Sequence, residues 1–508
     1  MSTINKAPDT TSKKFHIIIY GCQMNYSDSA RIRAVLLNCG WQHTDNEAEA
    51  DVVILDTCSV RQKSEDKIRW KLKDIQPHQK IWLTGCMIQH NLNLKKLRTT
   101  KSKKITKWNF VEAITTKEPT IIGLEKLSTS AILKEIAKKL ALFNKREEII
   151  YINHAFDPLF TQMNTAFPNV ELFFRINDVG MLPYLMRSLG YQVTHDVEVV
   201  NEYTGIIPAN ANMLFKENTK TAYVPISTWC SQFCAYCIVP YARWLEKNRP
   251  IDEIMTEVAS HIKQGAEEIV LLGQIVNKHP DFYQILKQTA ETPGVKRVRY
   301  TSPYPTYYSP EIFELHEKVE NICPHIHMPL QSGSNAILKK MFRWYTAEEF
   351  KGFVDNVRAL SRPISITSDI IVGFSDETEE DFRMSMELAE YSRFDMIYIG
   401  IYSPRPWTIG AKKYTDNVPQ KVKKERRARL NDVLTAVSAE NNQQEMGTTR
   451  DIIVKEQQDH VLIWYSDNMK NVVVEGGAKK DVTYAPGTFL KVQITRTEPF
   501  KLFATLLS

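Results

Sequence analysis

The sequence predicts an α/β protein: a parallel-sheet domain, then an incomplete barrel of strand–helix units, then a small β-barrel. Three observations predict it. Apolar runs at 15–20, 51–57 and 80–85 recur every 28 to 36 residues, the length of one strand–helix unit, and each leads through a small residue into a cysteine. From residue 222, six apolar strand candidates alternate with helical patterns. Residues 447–507 break into short alternating β-like runs.

The elements follow in order. Residues 1–14 are polar and read as a disordered tail, with no apolar signal segment. Residues 15–220 form the first domain. Between its cysteine-ending strands lie helix-like stretches such as 29–37, and strands alternating with helices pair in parallel. Ligands gather at the carboxyl ends of such strands. Cys22, Cys58 and Cys86 are therefore expected to converge, as if to hold an iron–sulfur cluster. A lone strand-end cysteine would mean little, because cysteine is often simply buried. From about 91 to 167 the pattern breaks into an insertion. It carries a basic run (Lys95, Lys96, Arg98, Lys101, Lys103, Lys104, Lys107), a helical stretch at 132–143 and a strand-like 148–152. Alternating apolar segments return at 168–200.

Residues 221–442 form the second domain. Its strand candidates are 222–226, 268–272, 297–301, 325–330, 364–372 and 396–402, separated by helices such as 251–264 and 347–360. Six units make a partial (β/α)6 barrel, with its site at the strand carboxyl ends. A helix at 419–442 carries Lys421, Lys423, Lys424, Arg426, Arg427 and Arg429. Residues 443–508 hold the small barrel, a common nucleic-acid binder when it follows such a helix.

Composition sets outer bounds. At 508 residues the chain has ample core, and a net charge of +6 suits a nucleic-acid partner. No apolar run is long enough to span a bilayer, so a cytoplasmic protein with reduced thiols is expected. Of eight cysteines, Cys39 and Cys323 read as packing residues.

The most specific motif is Cys230, Cys234 and Cys237, a C-x3-C-x2-C triplet after the first strand of the second domain. Three thiolates on one loop hold three corners of a [4Fe–4S] cube. The fourth iron is left open for a ligand that is not protein. Structural zinc closes with four ligands, so zinc here would need a distant fourth. The triplet is the signature of the radical SAM superfamily, whose open iron chelates S-adenosylmethionine.

Further motifs narrow the resemblance. They are Tyr-Gly-Cys-Gln-Met-Asn at 20–25, Thr-Cys-Ser-Val-Arg at 57–61, Leu-Leu-Gly-Gln-Ile-Val-Asn at 271–277, Pro-Leu-Gln-Ser-Gly-Ser at 329–334, Ser-Asp-Ile-Ile-Val-Gly-Phe at 368–374 and Tyr-Ser-Pro-Arg-Pro at 402–406. Over 15–90 and 168–507 the chain resembles the methylthiotransferases of the MiaB type. That resemblance implies an N-terminal cluster domain, a radical SAM partial barrel and a C-terminal TRAM barrel. It implies a transferase that adds a methylthio group to carbon 2 of N6-isopentenyladenosine beside the tRNA anticodon. It implies two [4Fe–4S] clusters. The Cys230/Cys234/Cys237 cluster cleaves S-adenosylmethionine to a 5′-deoxyadenosyl radical, and the Cys22/Cys58/Cys86 cluster holds the sulfur. The unactivated C–H bond explains why a cofactor must supply a radical. The anticodon loop is single-stranded, so its base can be splayed out and read, while barrel and basic helix hold phosphates. Gln331, Asp369, Arg405, Arg243 and Glu246 are the candidates for binding S-adenosylmethionine. His325 and His327 alternate on a strand and need no role. An external electron donor and a monomer are expected. The alternatives are a sister enzyme acting on another tRNA adenosine or a ribosomal protein, or a cluster-bearing RNA-binding protein without turnover.

One departure recurs. Tryptophan stands where the family has glycine at Trp229, Trp244 and Trp407, and Trp70, Trp82, Trp344 and Trp464 look the same. Glycine in such places serves positive φ or close backbone approach. A gene whose UGA codons encode glycine, translated with UGA as tryptophan, produces this pattern.

Overall fold

The computed structural model describes residues 12–58, 62–91, 167, 169–174, 176–193, 220–242, 246–458, 461–474 and 484–507. The chain divides into two compact units, Met1–Phe215 with Tyr241–Arg243, and Lys216–Pro240 with Trp244–Ser508. The basic run at 95–107, the helical stretch at 132–143 and the strand-like 148–152 lie outside the described residues. So does most of the 1–14 tail.

The first unit is a five-stranded sheet, parallel throughout. Its strands are β1 (Lys14–Ile19), β2 (Gln42–His43), β3 (Val52–Thr57), β4 (Lys80–Gly85) and β5 (Val170–Phe173), in the order β2-β1-β3-β4-β5. The helices Gln23–Asn38 and Gln62–Asp74 make the crossovers from β1 and β3. β3 is buried at all six positions, as a central parallel strand must be. Its side chains alternate between two cores. Val52 and Ile54 join Phe15, Ile32 and Trp82 on one face; Val53 and Leu55 join Ile68, Ile81 and Leu83 on the other.

The second unit opens with the partial barrel. Its strands are β6 (Thr221–Pro225), the short β7 (Ser227–Thr228) and β8 (Lys247–Asn248), β9 (Glu268–Leu272), β10 (Arg297–Tyr300), β11 (His325–His327), β12 (Ser365–Val372) and β13 (Met396–Ile401). Parallel pairing gives two sheets, β10-β9-β6 and β11-β12-β13. A parallel bridge from Val298 to Ile322, just before β11, spans the gap between them. The six expected strand–helix units are thus present. The small antiparallel pair β7–β8 fastens the base of the segment between them, with Thr228 opposite Lys247.

Strands β14 (Thr449–Gln458), β15 (Val461–Ser466), β16 (Asn471–Val474), β17 (Phe489–Glu498) and β18 (Lys501–Leu506) close into a barrel, ordered β14-β15-β16-β18-β17. Closure leaves no free sheet edge. Alternate residues such as Ile452, Val454, Val492 and Ile494 fill the interior. The small barrel is bolted to the larger one by buried charge. Lys470 Nζ lies 2.9 Å from Asp395 and 3.4 Å from Glu445, and donates to Asn442 at 3.0 Å. Arg299 donates to the Ser466 carbonyl at 2.8 Å.

The basic helix runs Gln420–Gln443. Two of its six expected phosphate-binding cations are buried and a third is half-buried in an ion pair. Lys423 is buried and pairs with Asp416, Arg426 is buried on Glu377 at 2.8 Å, and Arg429 meets Glu379 at 2.6 Å. These three cations fix the helix to the fold. Lys421, Lys424 and Arg427 are exposed.

Candidate metal centre and cofactor pocket

The register of the first sheet brings one cysteine trio to a common edge. Ile19 pairs with Asp56, and Thr57 pairs with Gly85, so Cys22, Cys58 and Cys86 leave neighbouring strands at the same end. Two glycines make room. A Cβ on Gly85, at φ +92°, would stand 2.3 Å from the Thr57 carbonyl oxygen. One on Gly21 would stand 1.9 Å from Asn25 Oδ1. Asn25, fully buried, ties the turn to β3: its Oδ1 accepts from the Cys22 backbone at 3.1 Å, and its Nδ2 donates to Asp56 at 2.7 Å. Ser29 donates to the other Asp56 oxygen at 3.0 Å. Asn25 and Asp56 were not singled out from sequence; the signal was their place in the same short motifs as Cys22 and Cys58.

The second trio sits on the loop between β7 and the Val239–Ala242 turn of helix. Cys234 is buried, and Cys230 and Cys237 are half-buried. Burial pushes the Cys230 thiol up to about 12, with the neighbouring Cys234 adding to the rise. Cys237 is raised further, by burial first and then by Cys234 and Cys230. As free thiols Cys230 and Cys237 stay protonated; a metal must displace those protons, so loading releases acid. The backbone amide of Gln232 donates to Cys230 Sγ at 3.4 Å, and Arg343 Nη1 to Cys234 Sγ at 3.7 Å. A set of three thiols with hydrogen bonds already aimed at two of them fits an iron–sulfur cube. Among the described residues no three His, Cys, Asp or Glu side chains converge on a single ion position. A cube needs no such convergence, since each thiolate meets a different iron. Cys39 and Cys323 are buried, with burial lifting their thiols to about 12 and about 11, as packing residues.

The polar candidates separate. Glu246 accepts from the Ser231 backbone and hydroxyl and from Lys278 Nζ at 2.7 Å, bracing the cysteine loop. Burial alone would raise its carboxyl, but hydrogen bonds from Lys278 and Ser231, with the Lys278 charge, together hold it below the usual value. Gln331 is buried at φ +70°, with its backbone paired to Asp369 and Ile371 across β12. Asp369 lies on β12, its side chain 3.0 Å from His327 Nε2. His325 and His327 both reach the Thr367 hydroxyl, at 2.8 and 2.9 Å. The histidines thus form a polar chain ending on Asp369, a link that strand alternation alone did not suggest. Arg405 is buried just past β13, its carbonyl capping the next turn through Thr408. Arg243 and Trp244 lie outside the described residues.

The tryptophans separate too. Trp229 and Trp407 adopt φ of +69° and +76°, the left-handed region that glycine favours. Trp82 does not behave as a displaced glycine. It is fully buried, packs 5.3 Å from Trp41, and donates through Nε1 to Glu171 at 3.0 Å. Trp70 and Trp344 are exposed, and Trp464 lies on β15 opposite Val454.

Comparison with known proteins follows the same division. A profile of the Radical SAM superfamily matches residues 224–389, and one described as uncharacterized protein family UPF0004 matches 14–105. A protein from Thermosipho africanus named tRNA-2-methylthio-N(6)-dimethylallyladenosine synthase is 31% identical over 507 residues, covering 97% of this chain and 99% of that protein. One of the same name from Pelotomaculum thermopropionicum is 30% identical, covering 88% of each. One from Corynebacterium urealyticum is 29% identical over 99% of this chain and 84% of its own length.

Proposed function

This chain belongs to the tRNA-2-methylthio-N(6)-dimethylallyladenosine synthases, a radical SAM family, and from that premise we propose how its residues serve methylthio transfer to carbon 2 of N6-isopentenyladenosine in tRNA. Cys230, Cys234 and Cys237 are assigned the radical SAM cluster. Bound there, a [4Fe–4S] cluster with S-adenosylmethionine supplies a radical able to break an unactivated C–H bond. Cys22, Cys58 and Cys86 are assigned a second [4Fe–4S] cluster, the holder of sulfur. Glu246 and Lys278 keep the cysteine loop in place. Gln331, Asp369, Arg405, Arg243 and Glu246 are the candidates for the S-adenosylmethionine pocket, with His327 orienting Asp369. The exposed cations of the basic helix and the small barrel hold RNA phosphates, an affinity that falls with salt.

The observation that supports methylthio transfer over radical chemistry in general is the second trio, set at one sheet edge by the Thr57–Gly85 pairing. The test is mass analysis of tRNA nucleosides from a strain lacking the gene. Unthiolated isopentenyladenosine should accumulate, and an unchanged nucleoside profile overturns the reading. Anaerobically reconstituted protein should hold roughly eight irons; about four would remove the second cluster. The reading includes an external electron donor and a cytoplasmic monomer. Among the described residues no helix is long and apolar enough to cross a membrane.

We also propose that positions 229 and 407 are glycine in the native protein, encoded by UGA. The positive φ at both supports this. UGG codons at 229, 244 and 407 overturn it.

A further inference from the structure

We propose that Arg343 is the counter-ion of the cluster on Cys230, Cys234 and Cys237, and that it sets how readily that cluster accepts an electron. The proposal rests on the radical SAM reading above. Arg343 lies just beyond the Asn335–Lys340 helix, 109 residues from Cys234, and is 7% exposed. Each of its three guanidinium nitrogens donates once. Nη1 donates to Cys234 Sγ at 3.7 Å, Nη2 to the Pro329 carbonyl at 3.0 Å and Nε to the Tyr345 hydroxyl at 2.9 Å. Its face lies 4.2 Å from the Tyr304 ring centre and 5.0 Å from that of Tyr345.

None of these partners is a carboxylate. Two other buried arginines of the same unit have one, Arg249 meeting Glu257 at 2.6 Å and Arg426 meeting Glu377 at 2.8 Å, as does the half-buried Arg299 on Glu268 at 2.9 Å, whereas buried Arg297 lies over the Phe489 ring. A guanidinium is charged at any working pH, and a buried charge without a counter-charge is costly. The hydroxyls of Tyr304 and Tyr345 are both raised, chiefly by burial, so they stay neutral. Among Arg343's partners, the atom left to carry negative charge is Cys234 Sγ, once it is a cluster thiolate. The same turn is fastened to the cysteine loop, since the Ala235 amide donates to the Met341 carbonyl at 2.9 Å. A cube on three thiolates is anionic and becomes more so on reduction. A fixed cation bonded to one of its sulfurs therefore favours the reduced form, and both charge and hydrogen bonds to sulfur move cluster potentials.

The test uses the full chain, reconstituted without oxygen, as wild type, R343Q and R343K. A redox titration followed by electron paramagnetic resonance tracks the signal that changes on adding S-adenosylmethionine. R343Q should keep its iron but lower the reduction equilibrium at least tenfold, a midpoint about 59 mV lower for one electron. R343K should shift less. R343Q titrating with wild type overturns the proposal. Iron-free melting gives the second measurement. R343Q should lose less melting temperature against wild type without iron than with it, because the counter-ion contribution exists only when the cluster is bound. Equal losses mark a packing role and overturn the proposal. If R343Q takes up no cluster, near-normal iron-free melting supports the proposal and collapsed iron-free melting overturns it. Wild type that gains no S-adenosylmethionine-sensitive signal sinks the radical SAM reading itself, a distinct result.

Discussion

The two cysteine trios are built in opposite ways. One sits on a single loop of eight residues, from Cys230 to Cys237, pinned at its base by β7 and β8. The other is spread from Cys22 to Cys86 and meets only if three strands pair in register. A one-residue slip of β4 against β3 would move Cys86 away from Cys58 and turn its strand's side chains to the wrong core. A local site survives much of what happens to its domain; an assembled site reports on the whole sheet.

Breaking one ligand in each trio should give the largest contrast. Cys234→Ala is expected to abolish deoxyadenosine formation from S-adenosylmethionine. Cys58→Ala should leave deoxyadenosine intact and abolish only the methylthiolated nucleoside, both read by liquid chromatography with mass detection. If Cys58→Ala also stops deoxyadenosine, the two trios do not act separately.

Stability measurements sharpen the same contrast. Trp82→Gly should cost about 3–5 kcal/mol in the first unit, because it empties the core beside Trp41 and removes one of the donors to Glu171, leaving the Tyr191 hydroxyl. Gly85→Ala should cost about 1–3 kcal/mol and reduce iron at the Cys22/Cys58/Cys86 site alone, since the new methyl meets the Thr57 carbonyl. By contrast, Trp407→Gly, at an exposed side chain, should stabilise the second unit by about 1 kcal/mol through relief of positive φ. Denaturant melts followed separately for each unit check all three. A destabilised Trp407→Gly would remove the glycine reading at that position.

The smallest effect is a pH dependence of the loop brace. The Glu246 carboxyl is held below its ordinary 4.5, so the stability it contributes is present above that value and lost as pH falls through the lower folded one. Glu246→Gln should thus differ from wild type in melting temperature at neutral pH and converge with it in acid. A gap that persists below the folded value would show that Glu246 acts through packing.

Much of this was legible along the chain. Strands were plain because central parallel strands are continuous apolar runs, and the Cys230 triplet was plain because its geometry is local. What sequence missed depends on pairing between distant positions. Asn25 and Asp56 are ordinary polar residues until β1 and β3 pair. His327 gains meaning only from Asp369, 42 residues on. The six cations of the basic helix looked equivalent, but Lys423, Arg426 and Arg429 face acids from other segments. Trp82 shared a sequence context with Trp229 and Trp407, and only backbone conformation distinguished it, since positive φ occurs at the latter two and not at Trp82.

The Lys470 bolt has a consequence for cargo. A lysine, two acids and an amide interlock out of water between the small barrel and the large one, and hold the two together at that point. An RNA gripped by the small barrel would be held at a fixed reach from the cysteine loop, as a workpiece in a vice stands at a set distance from the tool. Replacing Asp395 with a residue that cannot grip Lys470 would turn that vice into a hinge.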